Sequence, residues 1–260
     1  ALARHVNTAV VAPSEQGPIA GDVPLTPIQH WFFEQGFTDP HHFNQALLLE
    51  PVESLAPADL EHAVAAVVEH HDALRLRFSD QDRPGEADGW RQENAKAEPV
   101  PPFCRIDFSA LPEPLRHGAL GPAVAALHAG FDLAAGPLTR LARFETGAGQ
   151  PELLVWVAHH LVVDGVSWRV LLEDLEGAYL QAARGLRPVF PPKTTSFRDW
   201  ARRLVEHARS EALARELDYW LEAVRAAVPR LPVDFPTSGE NTVGAEASVS
   251  FELTAEETTD

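Results

Sequence analysis

The run His159-His160-Leu161-Val162-Val163-Asp164-Gly165-Val166-Ser167-Trp168-Arg169 gathers residue types that acid–base chemistry uses. Histidine exchanges a proton near neutral pH, so two in succession make a natural proton-transfer pair. Asp164 can cap a following helix, pair with a basic residue or orient an imidazole, and Gly165 permits a tight turn or the close approach of another backbone. The plainer alternative, a packed or solvated pair, stands beside this one. His41-His42 and His70-His71 have no comparable setting and read as structural. His, His and Asp could all bind a metal, but nothing nearby completes a ligand set with characteristic spacing, so no metal is expected. Cys104 is the single cysteine, has no activating partner in sequence and reads as a buried thiol.

The histidines gain weight from the elements around them. Leu153-Leu154-Val155-Trp156-Val157 is apolar without alternation, as a central strand covered on both faces would be, and the pair sits where that strand ends. Ligands of layered α/β folds gather at such carboxyl ends. A helix is expected from about Val166 to Ala183, with Trp168, Leu171, Leu172, Leu175 and Tyr179 on one stripe. Upstream, Thr26-Pro27 is the N-cap and first residue of a helix whose Trp31, Phe32 and Phe33 are read as core. Phe43 to Glu50 reads as a strand and Pro57 to His71 as a helix. Leu74, Leu76 and Phe78, alternating with Arg75 and Arg77, read as a half-buried strand with a polar outer face. Residues 79–102 suggest a hairpin or long loop. A helix at Leu115–Ala129 and a strand at Leu138–Phe144 follow. The class is therefore α/β, or an α+β layered sandwich.

A proline-rich break, Arg187-Pro188-Val189-Phe190-Pro191-Pro192, precedes a long charged helix or helix pair running to about Ala227. Ala247, Val249, Phe251 and Leu253 alternate like a strand, and Thr254-Ala255-Glu256-Glu257 fits a capping box. The expected division is a linker or leading strand at 1–23, a first lobe at 24–186, and the beginning of a second lobe at 187–260. A closing helix start, and the lack of any methionine, suggest a piece of a longer protein.

Composition narrows the function. The 260 residues hold 38 acidic against 21 basic side chains, a formal charge of −17, which argues against a nucleic-acid partner needing a basic footprint. No apolar run approaches membrane-spanning length, and no secretory leader is visible, so the expected compartment is the cytoplasm. Arg198, Arg202, Arg203 and Arg209 on the charged helix are candidates for docking an acidic partner.

The stretch His159–Gly165 resembles the H-H-x-x-x-D-G signature of the condensation superfamily of nonribosomal peptide synthetases, which share a chloramphenicol-acetyltransferase-like fold. Val163 to Arg169, Leu172-Glu173-Asp174-Leu175 and Pro24-Leu25-Thr26-Pro27-Ile28-Gln29-His30-Trp31-Phe32-Phe33 are similar to the epimerization domains within it. His71-Asp72-Ala73-Leu74-Arg75, Phe131-Asp132-Leu133, Gly136-Pro137-Leu138 and Gly239-Glu240-Asn241-Thr242-Val243 extend the resemblance over nearly the whole chain. It implies inversion at the α-carbon of an aminoacyl or peptidyl thioester on the phosphopantetheine of a carrier domain, with no cofactor of the chain's own. It implies that His160 transfers the proton, that His159 and Asp164 are scaffolding, with Asp164 held by an arginine, and that Gly165, Ser167, Trp168 and Arg169 support them. The helix from Val166 would then turn its N–H groups toward developing negative charge. Implied partners are an upstream peptidyl carrier domain, the rest of the second lobe and a downstream condensation domain.

Family members carry an opposing acidic residue in a Glu-rich motif of the second lobe, and no such motif precedes Asp260. This chain alone is therefore expected to be inactive. The nearest rival is a condensation domain using the same His160 to form an amide. A glycerolipid-type acyltransferase would use His159 and Asp164 as H-x-x-x-x-D, but Phe235-Pro236-Thr237-Ser238 lacks the glycine expected of its later element. A silent, carrier-docking member is the non-enzymatic alternative.

Overall fold

The computed structural model describes residues 14–80, 89–98, 100–147, 152–225, 232 and 247–259. The chain forms two compact units, Ala1–Ala214 and Arg215–Asp260. The first holds a four-stranded sheet in the order β2-β7-β6-β5, made of β2 (Asn44–Leu49), β5 (Phe103–Asp107), β6 (Thr139–Glu145) and β7 (Leu153–His159). β5 and β6 run parallel, and the other neighbours are antiparallel. The unbroken apolar run is explained by the inner place of β7, where Val157 and Ala158 are fully buried and Trp156 is 2% exposed. Burying each large apolar side chain contributes roughly 1.5–3 kcal/mol.

A second sheet, β1-β4-β3, joins β1 (Gly21–Val23), β3 (Leu76–Asp80) and β4 (Trp90–Asn94). β3 and β4 pair antiparallel, so the turn-rich region contains a hairpin. The helix α1 (Pro27–Glu34) starts at Thr26, whose N–H donates to Gln29 Oε1 at 2.9 Å; Gln29 Nε2 in turn reaches Gln92 Oε1 on β4 at 2.6 Å. Phe33 stacks on Trp90 at 4.1 Å. Phe32 and Phe33 belong to the core as expected, but Trp31 is 48% exposed, because its position faces away from the sheets.

The helix α2 (Pro57–His70) packs along α4 (Gly165–Ala182), burying Leu60, Ala63, Val64 and Val67 against the same core as Trp168, Leu171, Leu175 and Ala178. The helix α3 (Glu113–Ala129) lies between β5 and β6 in sequence, as a parallel crossover requires. The charged stretch expected as one long helix or a helix pair forms three helices, α5 (Phe197–Ala208) and α6 (Glu211–Ala214) in the first unit and α7 (Leu217–Arg225) in the second.

The expectation of a polar outer face at Arg75 and Arg77 does not hold: both are buried, at 2% and 6% exposure. Arg75 donates to the carbonyls of Val68, Glu69, Ile19 and Ala95 and to Asp72 Oδ1 at 2.6 Å. Arg77 donates to the carbonyls of Ala135 and Leu76 and pairs with Glu98. Buried charge is tolerated because all five N–H groups of Arg75 find acceptors and each nitrogen of Arg77 finds one. Gly136 has φ +61°, and a Cβ there would collide with the Arg77 guanidinium, which accounts for glycine before Pro137.

In the second unit the anticipated strand at Ala247–Leu253 is absent among the described residues, and Val249, Phe251 and Leu253 are exposed. Alternation makes a strand only where an edge accepts its hydrogen bonds, and among the described residues none does. Thr254 does cap α8 (Ala255–Thr259) together with Glu257. Gly239–Val243 lie outside the described residues. No helix among the described residues is long and apolar enough to cross a membrane.

Candidate active site

Antiparallel pairing of β2 with β7 sets Asn44 opposite His159 and continues one step further, where His160 N–H donates to the Phe43 carbonyl at 2.8 Å. Successive side chains leave a strand on opposite faces, so the two imidazoles enter different surroundings. His159 is fully enclosed. Its Nε2 lies 2.8 Å from the Pro40 carbonyl, and its Nδ1 accepts the Leu161 N–H at 3.1 Å. A carbonyl only accepts, so the proton of His159 sits on Nε2. Burial drives its pKa down to about 4, against the opposing effect of the Pro40 hydrogen bond.

His160 is exposed and carries its proton on the other nitrogen. Its Nδ1 donates to the Val163 carbonyl at 3.0 Å, and its Nε2 faces Gln45 Nε2 at 3.0 Å. Phe43 stacks against the ring with centroids 5.5 Å apart. His160 lines a cleft of about 480 Å³ whose other walls include Ile28, Trp31, Phe32, Leu161 and Phe197. An imidazole with an unprotonated Nε2 at the edge of an apolar cleft can accept a proton from a bound molecule.

Asp164 is an exposed N-cap. Its Oδ1 accepts the backbone N–H groups of Val166 and Ser167 and the Ser167 hydroxyl at 2.6 Å, while Ser167 Oγ accepts the Asp164 N–H. The Ser167 hydroxyl and backbone N–H, the largest of these influences, hold its carboxyl below the usual range. Among the described residues Asp164 is held by Ser167 and the helix backbone, and no arginine pairs with it. The N–H groups of Val166 and Ser167 face that carboxylate, so they are not open to a developing oxyanion, which corrects the expectation that they turn toward the site. Gly165 opens α4, Trp168 Nε1 donates to Gln45 Oε1 at 2.7 Å, and the exposed Arg169 pairs with Glu173 at 3.2 Å.

Gln45, Phe43 and the Val163 carbonyl are the members that sequence reasoning missed. Val163 lies inside the motif, but its contribution is a main-chain oxygen, which no residue type signals. Gln45 is 115 residues from His160, and only strand register brings them together.

The other candidates lie elsewhere. His71 Nε2 pairs with Asp174 Oδ2 at 2.7 Å, fastening the end of α2 to α4, and His70 stacks on Phe190. His70, His71 and Asp174 bring ligand-type atoms within 4.8 Å, the arrangement a metal would need, but the Lys193 charge acts on His70 beside them. Arg198 is engaged by Glu15, Arg202 faces Asp199, and Arg203 and Arg209 are exposed. Cys104 is half-buried instead of buried, its thiol pushed up by that burial against the opposing charge of Arg140.

Comparison with known proteins agrees with this geometry. The condensation-domain family model matches residues 19–260. The chain is 43% identical over 99% of its length to part of a linear gramicidin synthase of Brevibacillus parabrevis, and 38% identical over 99% to part of surfactin synthase subunit 2 of Bacillus subtilis (strain 168). It spans only 3% and 7% of those relatives. Among solved structures, the epimerization domain from the third module of tyrocidine synthetase B superposes with a TM-score of 0.78 at 38% identity, over 86% of this chain and 50% of that one. The starter condensation domain of rhizomide synthetase gives 0.64 at 22% identity, over 79% of this chain and 48% of that one, a likeness of fold alone. With its two sheets, its helices and its H-H-x-x-x-D-G turn, this chain belongs to the condensation-domain family of nonribosomal peptide synthetases and has their chloramphenicol-acetyltransferase-like fold.

Proposed function

We propose that the chain forms the histidine-bearing lobe of an epimerization domain, which converts the α-carbon of a carrier-bound aminoacyl or peptidyl thioester from L to D. The observation that carries the reading is His160, set at the apolar cleft with its Nε2 free of a proton. The 38% identity to an epimerization domain, against 22% to a condensation domain, supports epimerization over amide formation.

In this reading Nε2 of His160 takes the α-proton. The C–H electron pair moves into the Cα–carbonyl bond as the thioester oxygen becomes an enolate, and a proton returns to Cα from the opposite face. Stacking by Phe43 and the bond to Val163 O hold the base in place. His159, neutral and enclosed, fixes the end of β7; Asp164, Gly165 and Ser167 fix the start of α4. The substrate would arrive on the phosphopantetheine of an upstream peptidyl carrier domain and leave for a downstream condensation domain, in the cytoplasm. We assign residues 24–186 to the first lobe and 187–260 to the beginning of the second.

The test uses the parent extended through its second lobe, with a cognate aminoacyl or peptidyl carrier substrate in D₂O. Deuterium at Cα with a mixed D/L product, lost by about 100-fold or more in His160→Ala, is the expected result. Amide formation with an acceptor-loaded carrier and no exchange would move the assignment to condensation. Silence in both assays would leave a carrier-docking member.

A further inference from the structure

Resting on that reading, we infer that Gln45, oriented by Trp168, is a positioning residue that acts with the Val163 carbonyl to keep Nε2 of His160 unprotonated, so that this lobe begins as the base. Three hydrogen bonds run in series. Trp168 Nε1 lies 2.7 Å from Gln45 Oε1, Gln45 Nε2 lies 3.0 Å from His160 Nε2, and His160 Nδ1 lies 3.0 Å from the Val163 carbonyl.

The direction of the series is set at both ends. An indole N–H can only donate, so the amide oxygen of Gln45 must face Trp168 and its NH₂ must face His160. That NH₂ has no lone pair to offer, so His160 Nε2 must be the acceptor. The ring proton is then on Nδ1, facing a carbonyl that can only accept. A proton on Nε2 would confront the amide N–H, and rotating the amide to relieve that contact would set its N–H against the indole N–H. Either arrangement forfeits a hydrogen bond that the observed one keeps.

The Val163 carbonyl supplies the same bias from the Nδ1 side, and among the described residues no other group near the ring adds to it. Phe43 on β2 stacks on it without a polar atom, His159 is neutral with both nitrogens engaged, and the Asp164 carboxylate is turned into the cap of α4. The amide also occupies the lone pair that would take the α-proton. It is a placeholder, which a bound Cα–H displaces.

Nitrogen-15 and proton spectra of the histidine-labelled 260-residue chain test this at one pH, above neutrality. The expected wild-type signature is a proton on Nδ1 of His160 and none on Nε2. Gln45→Glu keeps an acceptor for Trp168 but presents a second acceptor to His160, so Nε2 becomes protonated. Trp168→Phe frees the amide to turn and gives a mixture. Gln45→Met keeps length without polarity; there Val163 alone holds the proton on Nδ1. In the extended parent, Gln45→Glu lowers the exchange rate at Cα by about tenfold or more with little change in KM, whereas Gln45→Met keeps the larger share of it. A wild-type ring protonated on Nε2, or a Gln45→Glu ring with Nε2 still bare, would overturn the inference. Absence of Cα exchange in the unaltered parent would instead overturn the epimerase reading, leaving the spectral result intact.

Discussion

The imidazole of His159 lies wholly inside the protein with its Nε2–H on Pro40 and its Nδ1 occupied by Leu161 N–H, and it stays neutral down to a pH of about 4. An unfolded histidine titrates near 6.5, so between those values the unfolded chain binds a proton that the folded chain refuses. The contribution is complete above pH 6.5, falls away as the pH drops toward 4, and is constant below. The difference corresponds to about 3 kcal/mol at 1.36 kcal/mol per unit. Denaturant unfolding at pH 7 and pH 4.5 should show His159→Asn less stable than wild type at the higher pH but with a shallower loss on acidification. Equal slopes would contradict the enclosed, neutral state. The sequence motif marks both histidines, but it does not reveal that adjacent rings hold opposite tautomers, since that depends on Pro40 and Gln45, which lie 119 and 115 residues away.

The beginning of α4 connects the motif to its surroundings. Asp164 and Ser167 satisfy one another and the first N–H groups of the helix, and one residue on, Trp168 reaches back to Gln45. Losing an N-cap side chain costs about 1 kcal/mol, so Asp164→Ala should lower stability by that amount in urea titration, and Asp164→Ser by only a few tenths. Because the first turn also aims Trp168, Asp164→Ala should reduce Cα exchange in the extended parent by more than its stability loss explains. An exchange rate unchanged in Asp164→Ala would separate the cap from the site. Local signals of this kind are legible: Thr26-Pro27, Asp164-Gly165 and the Thr254/Glu257 box all mark helix starts that form. Arg75 and Arg77 were not legible, because alternation assigns arginine to water unless buried acceptors are known. Their acceptors are carbonyls of α2, Ile19, Ala95 and Ala135, gathered from distant parts of the chain. The alternating residues 247–253 erred the other way, since a pattern of period two says nothing about whether a neighbouring edge exists.

At the scale of the molecule, the apolar run of β7 and the ordered motifs told most about the architecture, for both reflect a sheet buried on two faces and turns that only certain residues permit. They could not tell how many proton-transfer groups face the cleft. Among the described residues lining it, Asp164 is the one carboxylate; its Oδ1 holds the cap of α4, and the Ser167 hydroxyl and N–H keep its carboxyl below the usual range, so it is a poor proton donor; His160 is the one imidazole. On the proposed reading, inversion at carbon needs a proton removed from one face and delivered to the other, and a base held just past the end of β7 beside Phe43 and Val163 reaches only one of them. On that reading the complementary acid is supplied from outside this lobe. Given a carrier-bound substrate in D₂O, the 260-residue chain should show no deuterium at Cα and no D product under conditions in which the extended parent shows both. Adding the second lobe as a separate chain should restore exchange only if the two associate, which sedimentation of the mixture would register. Deuterium wash-in by the 260-residue chain alone would mean that His160 completes the exchange from one face, and the division of acid and base between lobes would have to be abandoned.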